Sequence, residues 1–179
     1  MTAQVQAARN GARDAWDGLF QRYQLPLFTY VRELVRDREA SLDIIQETFV
    51  NASRHLDSLR DDDKFGSWLF GIARQKCIHH WRQTGRDERV FDSDPPSDEM
   101  PGSNGENPGA FLVKRERENE FLAALEQLPV VHREAVTLHF LEEFPLDEIA
   151  SLTGVPVGTV KSRLHHAKKK LRELLEEKS

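Results

Sequence analysis

Apolar residues recur at helical spacing along most of this chain, and no stretch shows the alternation of a convincing strand. The first periodic stretch runs from about Ala12 to Val35, with Trp16, Leu19, Phe20, Tyr23, Leu27, Tyr30, Val31 and Leu34 mostly three or four apart, and Pro26 is a candidate kink within it. A second predicted helix covers about Glu39 to Leu59, its inward stripe being Leu42, Ile45, Phe49, Ala52, Leu56 and Leu59. Asp61 to Asp63 then offer N-caps for a third, about Lys64 to Gln83, with Phe65, Trp68, Leu69, Ile72, Ala73 and Ile78 inward.

Periodicity stops at Thr84. The stretch "TGRDERVFDSDPPSDEMPGSNGENPG", ending at Gly109, is rich in Gly, Pro, Ser, Asp and Asn and reads as a flexible acidic linker. Amphipathic patterns restart at about Ala110, and Pro129 falls near the first turn of another predicted helix. The pattern predicts an all-α protein of two small helical domains, residues 12–83 and 110–177, joined by the linker at 84–109.

The end of the second domain holds the most specific local pattern. Leu146 to Leu152 can form two helical turns with Ile149 and Leu152 inward and the small Ala150 where helices must approach. Gly154 can take the positive φ that ends a helix, Val155 can plug the core under the turn, and Pro156 can open the next helix. There Val157, Val160, Leu164, Ala167, Leu171 and Leu174 form an apolar stripe, with Thr159, Lys161, Ser162, Arg163, His166, Lys169 and Lys170 away from it. Helix, glycine turn and basic second helix match a helix-turn-helix. Arg can bond bidentately to guanine, Ser and Thr can reach base edges or phosphates, and Lys neutralises phosphate. A merely solvated basic face would explain the charges but not Ala150, Gly154 and Val160 at these spacings.

Composition narrows the alternatives. The 179 residues carry a net charge of −5, so the basic helix is a local feature of an acidic chain. No apolar run approaches the ~20 residues of a membrane span, and the N-terminus lacks a signal-peptide core, so the protein is expected in the cytoplasm without membrane insertion. The single cysteine, Cys77, excludes an internal disulfide. Cys77 and His80 lie one turn apart but fall short of a four-ligand site, and the chain shows no phosphate loop or nucleophile motif; no metal, cofactor or enzymatic activity is expected.

In the first domain "SLDIIQETFVNASRHL" places Asp43, Gln46, Glu47 and Val50 opposite the apolar stripe, and "DKFGSWLFGIARQKCIHHWRQ" presents a polar face with Arg74, Gln75, Lys76, His79 and Arg82. Together, "LDIIQETF", "FGSWLFGIAR" and "LPVVHREAVTLHFLEEFPLDEIASLTGVPVGTVKSRLHHAKKKL" resemble the extracytoplasmic-function (ECF) group of bacterial sigma factors, in their regions 2 and 4. The resemblance spans about Ala15 to Leu175 apart from the linker. It implies a protein that binds core RNA polymerase and directs it to promoters through −10 and −35 elements. It implies that Asp43, Gln46 and Glu47 dock on the clamp helices of the largest subunit, and that region 4 docks near the flap of the second subunit. The loop Asp57 to Lys64 and the next helix would open the −10 element, with Lys64, Arg74, Gln75, His79 and Arg82 on DNA. Thr159, Lys161, Ser162, Arg163, His166 and Lys169 would read the −35 element. Gln75 and His79 stand where family members often carry Asn or Asp. Many members are held by an anti-sigma factor, a further partner the resemblance implies. A stand-alone helix-turn-helix regulator would account for the C-terminus but not for "IIQETF" with "FGSWLFGIAR". A sigma-like decoy without DNA contact would be expected to lose the basic "KSRLHHAKKK".

Overall fold

The computed structural model describes residues 2–91 and 118–176, and no strand occurs among them. The chain divides into two compact units at the Asp87–Glu88 boundary. The first unit contains helices α1 (Thr2–Arg9), α2 (Arg13–Val35), α3 (Arg38–His55) and α4 (Phe65–Gln83). Short 3₁₀ turns at Leu56–Ser58 and Asp62–Lys64 lead from α3 into α4.

Helix α2 is continuous through Pro26. It stops where Arg36 takes a left-handed φ of 58° and returns its N–H to Arg32 O. Asp37 caps α3 at once, its carboxylate accepting from Ala40 N at 2.8 Å. The last carbonyls of α2 also need partners. Trp81 Nε1 donates to Leu34 O at 3.2 Å and Arg86 to Val35 O at 2.9 Å, with the guanidinium 5.4 Å over the Trp81 ring. Packing thus continues past α4 to Arg86, inside the stretch whose composition suggested a linker.

The first core joins Leu19, Leu27, Tyr30, Val31 and Leu34 of α2 with Ile44, Ile45, Phe49 and Ala52 of α3 and Leu69, Phe70, Ala73 and Cys77 of α4. Helix α3 packs on both α2 and α4, so its buried face is wider than its apolar stripe. Ser41 and Thr48 enter it because their hydroxyls donate to the carbonyls of Asp37 and Ile44 one turn back. Leu42, predicted inward, is exposed, and so is Phe20, although its ring lies tilted against Phe49 with centroids 4.8 Å apart. Helix α1 was not predicted: it has too few apolar positions, and it buries Val5 and Ala8 while Trp16 Nε1 bonds to Ala8 O at 3.1 Å.

The second unit contains α5 (Glu118–Leu125), α6 (Val130–Val136), α7 (Leu146–Thr153) and α8 (Val157–Glu176). A short 3₁₀ turn, Glu88–Phe91, packs on α6 with Phe91 fully buried. The rest of the expected linker, from residue 92, and the start of the second domain, residues 110–117, lie outside the described residues. Pro129 caps α6, which passes into a π-helical turn at Thr137–Leu141 closed by Glu142 N on Thr137 O. Every residue of α6 is buried, including His132, Arg133 and Glu134. Arg133 is accommodated by donating to Leu128 O at 2.9 Å.

Candidate nucleic-acid interface

Gly154 ends α7 with φ 74°, its N–H on Ala150 O at 2.9 Å, and Val155 N reaches the same carbonyl at 3.2 Å. Pro156 O then accepts from Thr159 N at 2.9 Å, which starts α8. The glycine supplies the left-handed turn that a side chain would strain. Val160, Leu164, Ala167, Leu171 and Leu174 are buried as the stripe predicts, whereas Val157 is exposed at the mouth of the turn. This unit has the geometry of a DNA-binding helix-turn-helix.

The outer surface of α8 is basic. Lys161, Lys169 and Lys170 are exposed, and Thr159, Ser162 and His166 are half-buried beside them. Ser162 Oγ lies 3.4 Å from His166 Nδ1, and the His166 ring stacks on His132 of α6 with centroids 5.9 Å apart. Lys168 sits 5.3 Å over the Phe140 ring, which anchors α8 to the π-turn.

Arg163 corrects the sequence assignment. It is 2% exposed, in register with Val160, Leu164 and Ala167 at i−3, i+1 and i+4. A guanidinium on the core face cannot reach a base edge while the unit stays folded. Arg74 fails in the same way: it is 3% exposed, between Phe70 and Cys77 on the inward face of α4. Charge alone suggests a surface position for both, whereas their spacing to buried neighbours puts them inside.

The other first-unit candidates are accessible. Asp43, Gln46 and Glu47 are exposed along α3, flanked by exposed Leu42 and Val50. Those two apolar side chains make the face an acidic surface with exposed hydrophobic groups. Gln75, His79 and Arg82 are exposed on α4, and Lys64 is half-buried in the turn before it. The structure brings part of the two sets together. Asp43 and Glu47 form one wall, and Gln75, Lys76 and His79 the other, of a groove of about 760 Å³ between α3 and α4. Glu47 and Lys76 bridge it at 3.0 Å. Gln46 and Arg82 lie outside the groove lining. Near α7, burial pushes the Glu142 carboxyl up from 4.5 to about 7.

Known families match the chain in the same order as its units. Sigma-70 region 2 matches residues 19–87 and sigma-70 region 4 matches residues 118–171. The RNA polymerase sigma-H factor of Pseudomonas aeruginosa is 30% identical, over 96% of this chain and 92% of its own. The ECF RNA polymerase sigma-E factor of Escherichia coli is 32% identical, over 92% and 88%. Among solved structures, the sigma factor RpoE from Bartonella quintana, co-crystallised with the anti-sigma factor NepR, aligns at 27% identity with a TM-score of 0.65 over 89% of this chain and 97% of that one. CnrH, in complex with the cytosolic domain of CnrY, shares the fold with a TM-score of 0.70 at 24% identity, over 99% and 98%. The chain belongs to the ECF group of the sigma-70 family, whose members direct promoter-specific transcription initiation.

Proposed function

We propose that the two units divide promoter recognition between them, with residues 12–83 as region 2, 110–177 as region 4 and 84–109 as the connection. In this reading Asp43, Gln46 and Glu47, with Leu42 and Val50, dock on the clamp helices of the polymerase's largest subunit. Lys64, Gln75, His79 and Arg82 contact the −10 element as it opens. An unpaired base can be held by hydrogen bonds from Gln75 and by stacking on His79. Thr159, Lys161, Ser162, His166 and Lys169 contact the −35 element, and region 4 docks near the flap of the second subunit. Arg74 and Arg163 leave the DNA-contacting set and take structural roles. The protein works without catalysis of its own, in the cytoplasm; no helix among the described residues is long and apolar enough to cross a membrane.

The observation that carries this reading is the basic outer surface of α8 behind a glycine turn, in a chain whose net charge is −5. An acidic chain with one basic helix binds duplex weakly until another protein holds it there. A second copy of that logic suits an anti-sigma factor: the RpoE structure holds NepR, and a similar partner here would cover the faces the polymerase needs. The test is band-shift binding to a −35/−10 duplex by the free chain and by the chain with core polymerase, at physiological salt. The reading expects specific binding only with polymerase, and equal affinity for the free chain would sink it.

A further inference from the structure

The turn between α3 and α4 is gripped by the start of the chain. Arg9, the last residue of α1, reaches residues 50 and 53 positions away in sequence: its Nη2 lies 2.7 Å from Asp62 Oδ1 and donates to Leu59 O at 3.0 Å, and its Nη1 lies 3.4 Å from Asp62 Oδ2. Its Nε approaches Asp57 at 3.8 Å, and Thr2 Oγ1 donates to Asp63 Oδ1 at 2.6 Å. The Asp62 side chain is only 7% exposed, so both its oxygens are spent on one guanidinium fork.

Helix α1 has its own anchor. Val5 and Ala8 are buried, α1 packs on α2, and the Trp16 indole holds Ala8 O. A helix of this length is marginal in water by itself. Its position comes from α2, and it passes that position to the turn through Arg9. The turn's own bonds are local: Asp61 accepts from Asp63 N at 3.0 Å, and Lys64 N returns to Asp61 O at 3.0 Å. They shape the turn, and buried Leu56 and Leu59 seat its start on the core. The bonds from α1 add a long-range tie to its Asp62 end.

We propose that α1 is a splint and Arg9 a positioning residue for promoter opening, holding Asp57–Lys64 in the orientation that captures the first unpaired base. This rests on the reading of that turn as the part that opens the −10 element. Removing Arg9 takes away the fork that holds both Asp62 oxygens, so the turn loses its tie to α1 and is free to shift. The splint therefore acts on strand opening, and neither the polymerase-docking residues on α3 nor the basic surface of α8 depends on it.

The test uses the full chain with core polymerase. Arg9→Ala is compared with wild type for polymerase affinity, for opening of a duplex promoter followed by 2-aminopurine fluorescence in the −10 non-template strand, and for transcription from a template already mismatched across −10. The expected result is an opening rate lowered about tenfold on duplex, as loss of preorganisation implies. Polymerase affinity and output from the mismatched template stay within about twofold, the scatter of a neutral surface change. Should Arg9→Ala fold poorly, Arg9→Lys, which keeps the charge and loses the two-pronged grip, should show the same selective defect at smaller size. Equal loss on duplex and mismatched templates would make Arg9 a general fold residue and overturn the proposal. Unchanged duplex opening by Arg9→Ala, whether or not its turn amides exchange faster, would overturn it as well. Wild-type holoenzyme that never opens the duplex would overturn the reading of the turn itself, and the proposal with it.

Discussion

Replacing Arg163 by Ala separates a buried structural arginine from a base-reading one. At 2% exposure the side chain packs fully inside the second unit. Truncation removes two side-chain methylenes and the guanidinium and leaves a cavity. At about 0.8 kcal/mol per buried methylene, with the cavity term added, the loss is about 3 kcal/mol. For a unit of this size that lowers the midpoint by about 15 °C. The assay can isolate the unit because all three tryptophans, Trp16, Trp68 and Trp81, lie in the first one. Tryptophan fluorescence reports the first unit and circular dichroism reports both, so a transition seen only by dichroism belongs to the second. Arg163→Ala should move that transition and leave the fluorescence transition in place. Lys161→Ala is the contrast: an exposed residue, it should change stability by less than about 0.5 kcal/mol, while weakening promoter binding by the holoenzyme and lowering its salt slope by about one. The reasoning fails if Arg163→Ala leaves the second unit as stable as wild type and yet weakens binding only at promoters with an intact −35 element.

Three further outcomes follow from local geometry. Arg36 holds a left-handed φ of 58° between α2 and α3, so Arg36→Gly should raise the fluorescence-detected stability of the first unit by about 0.5–1 kcal/mol in urea denaturation. Asp37→Ala removes the cap on Ala40 N and should lower that stability by about 1 kcal/mol in the same titration. Burial raises the Glu142 carboxyl from 4.5 to about 7: the folded state holds this proton more tightly, so the contribution is full below pH ~4.5 and is lost as pH rises through ~7. Glu142→Gln should therefore flatten the fall in second-unit stability between those values, by about 1–2 kcal/mol once solvent exposure is discounted, read as dichroism midpoints across pH.

Residues with a single backbone role were the most legible. Gly154 and Pro156 specify a turn that few other residues allow, and α7 and α8 follow from them. The core stripe of α8 was legible because a helix with one packed side writes its period into the sequence. Helices packed on several sides do not. The buried face of α3 takes in Ser41 and Thr48, which hide their hydroxyls in their own backbone, while Leu42 faces outward. Helix α6 is buried all round and has no polar face to read. Arg74 and Arg163 were misplaced because charge outweighed spacing. Helix α1 is hard to read from the sequence because it has few apolar positions of its own and is held by packing on α2, with Trp16 Nε1 on Ala8 O. Part of the candidate site was equally hidden: only the folded chain brings Asp43 and Glu47 across one groove from Gln75 and His79.

The central claim is that this chain confers promoter choice on RNA polymerase through two separate readers. Run-off transcription on fragmented genomic DNA with core polymerase, with and without the chain, tests it directly when the 5′ ends are sequenced. New start sites are expected that appear only with the chain and align upstream on two motifs near −10 and −35, with Lys161→Ala weakening starts through the distal motif. Start sites unchanged by the chain, or new ones sharing no upstream motif, would contradict it.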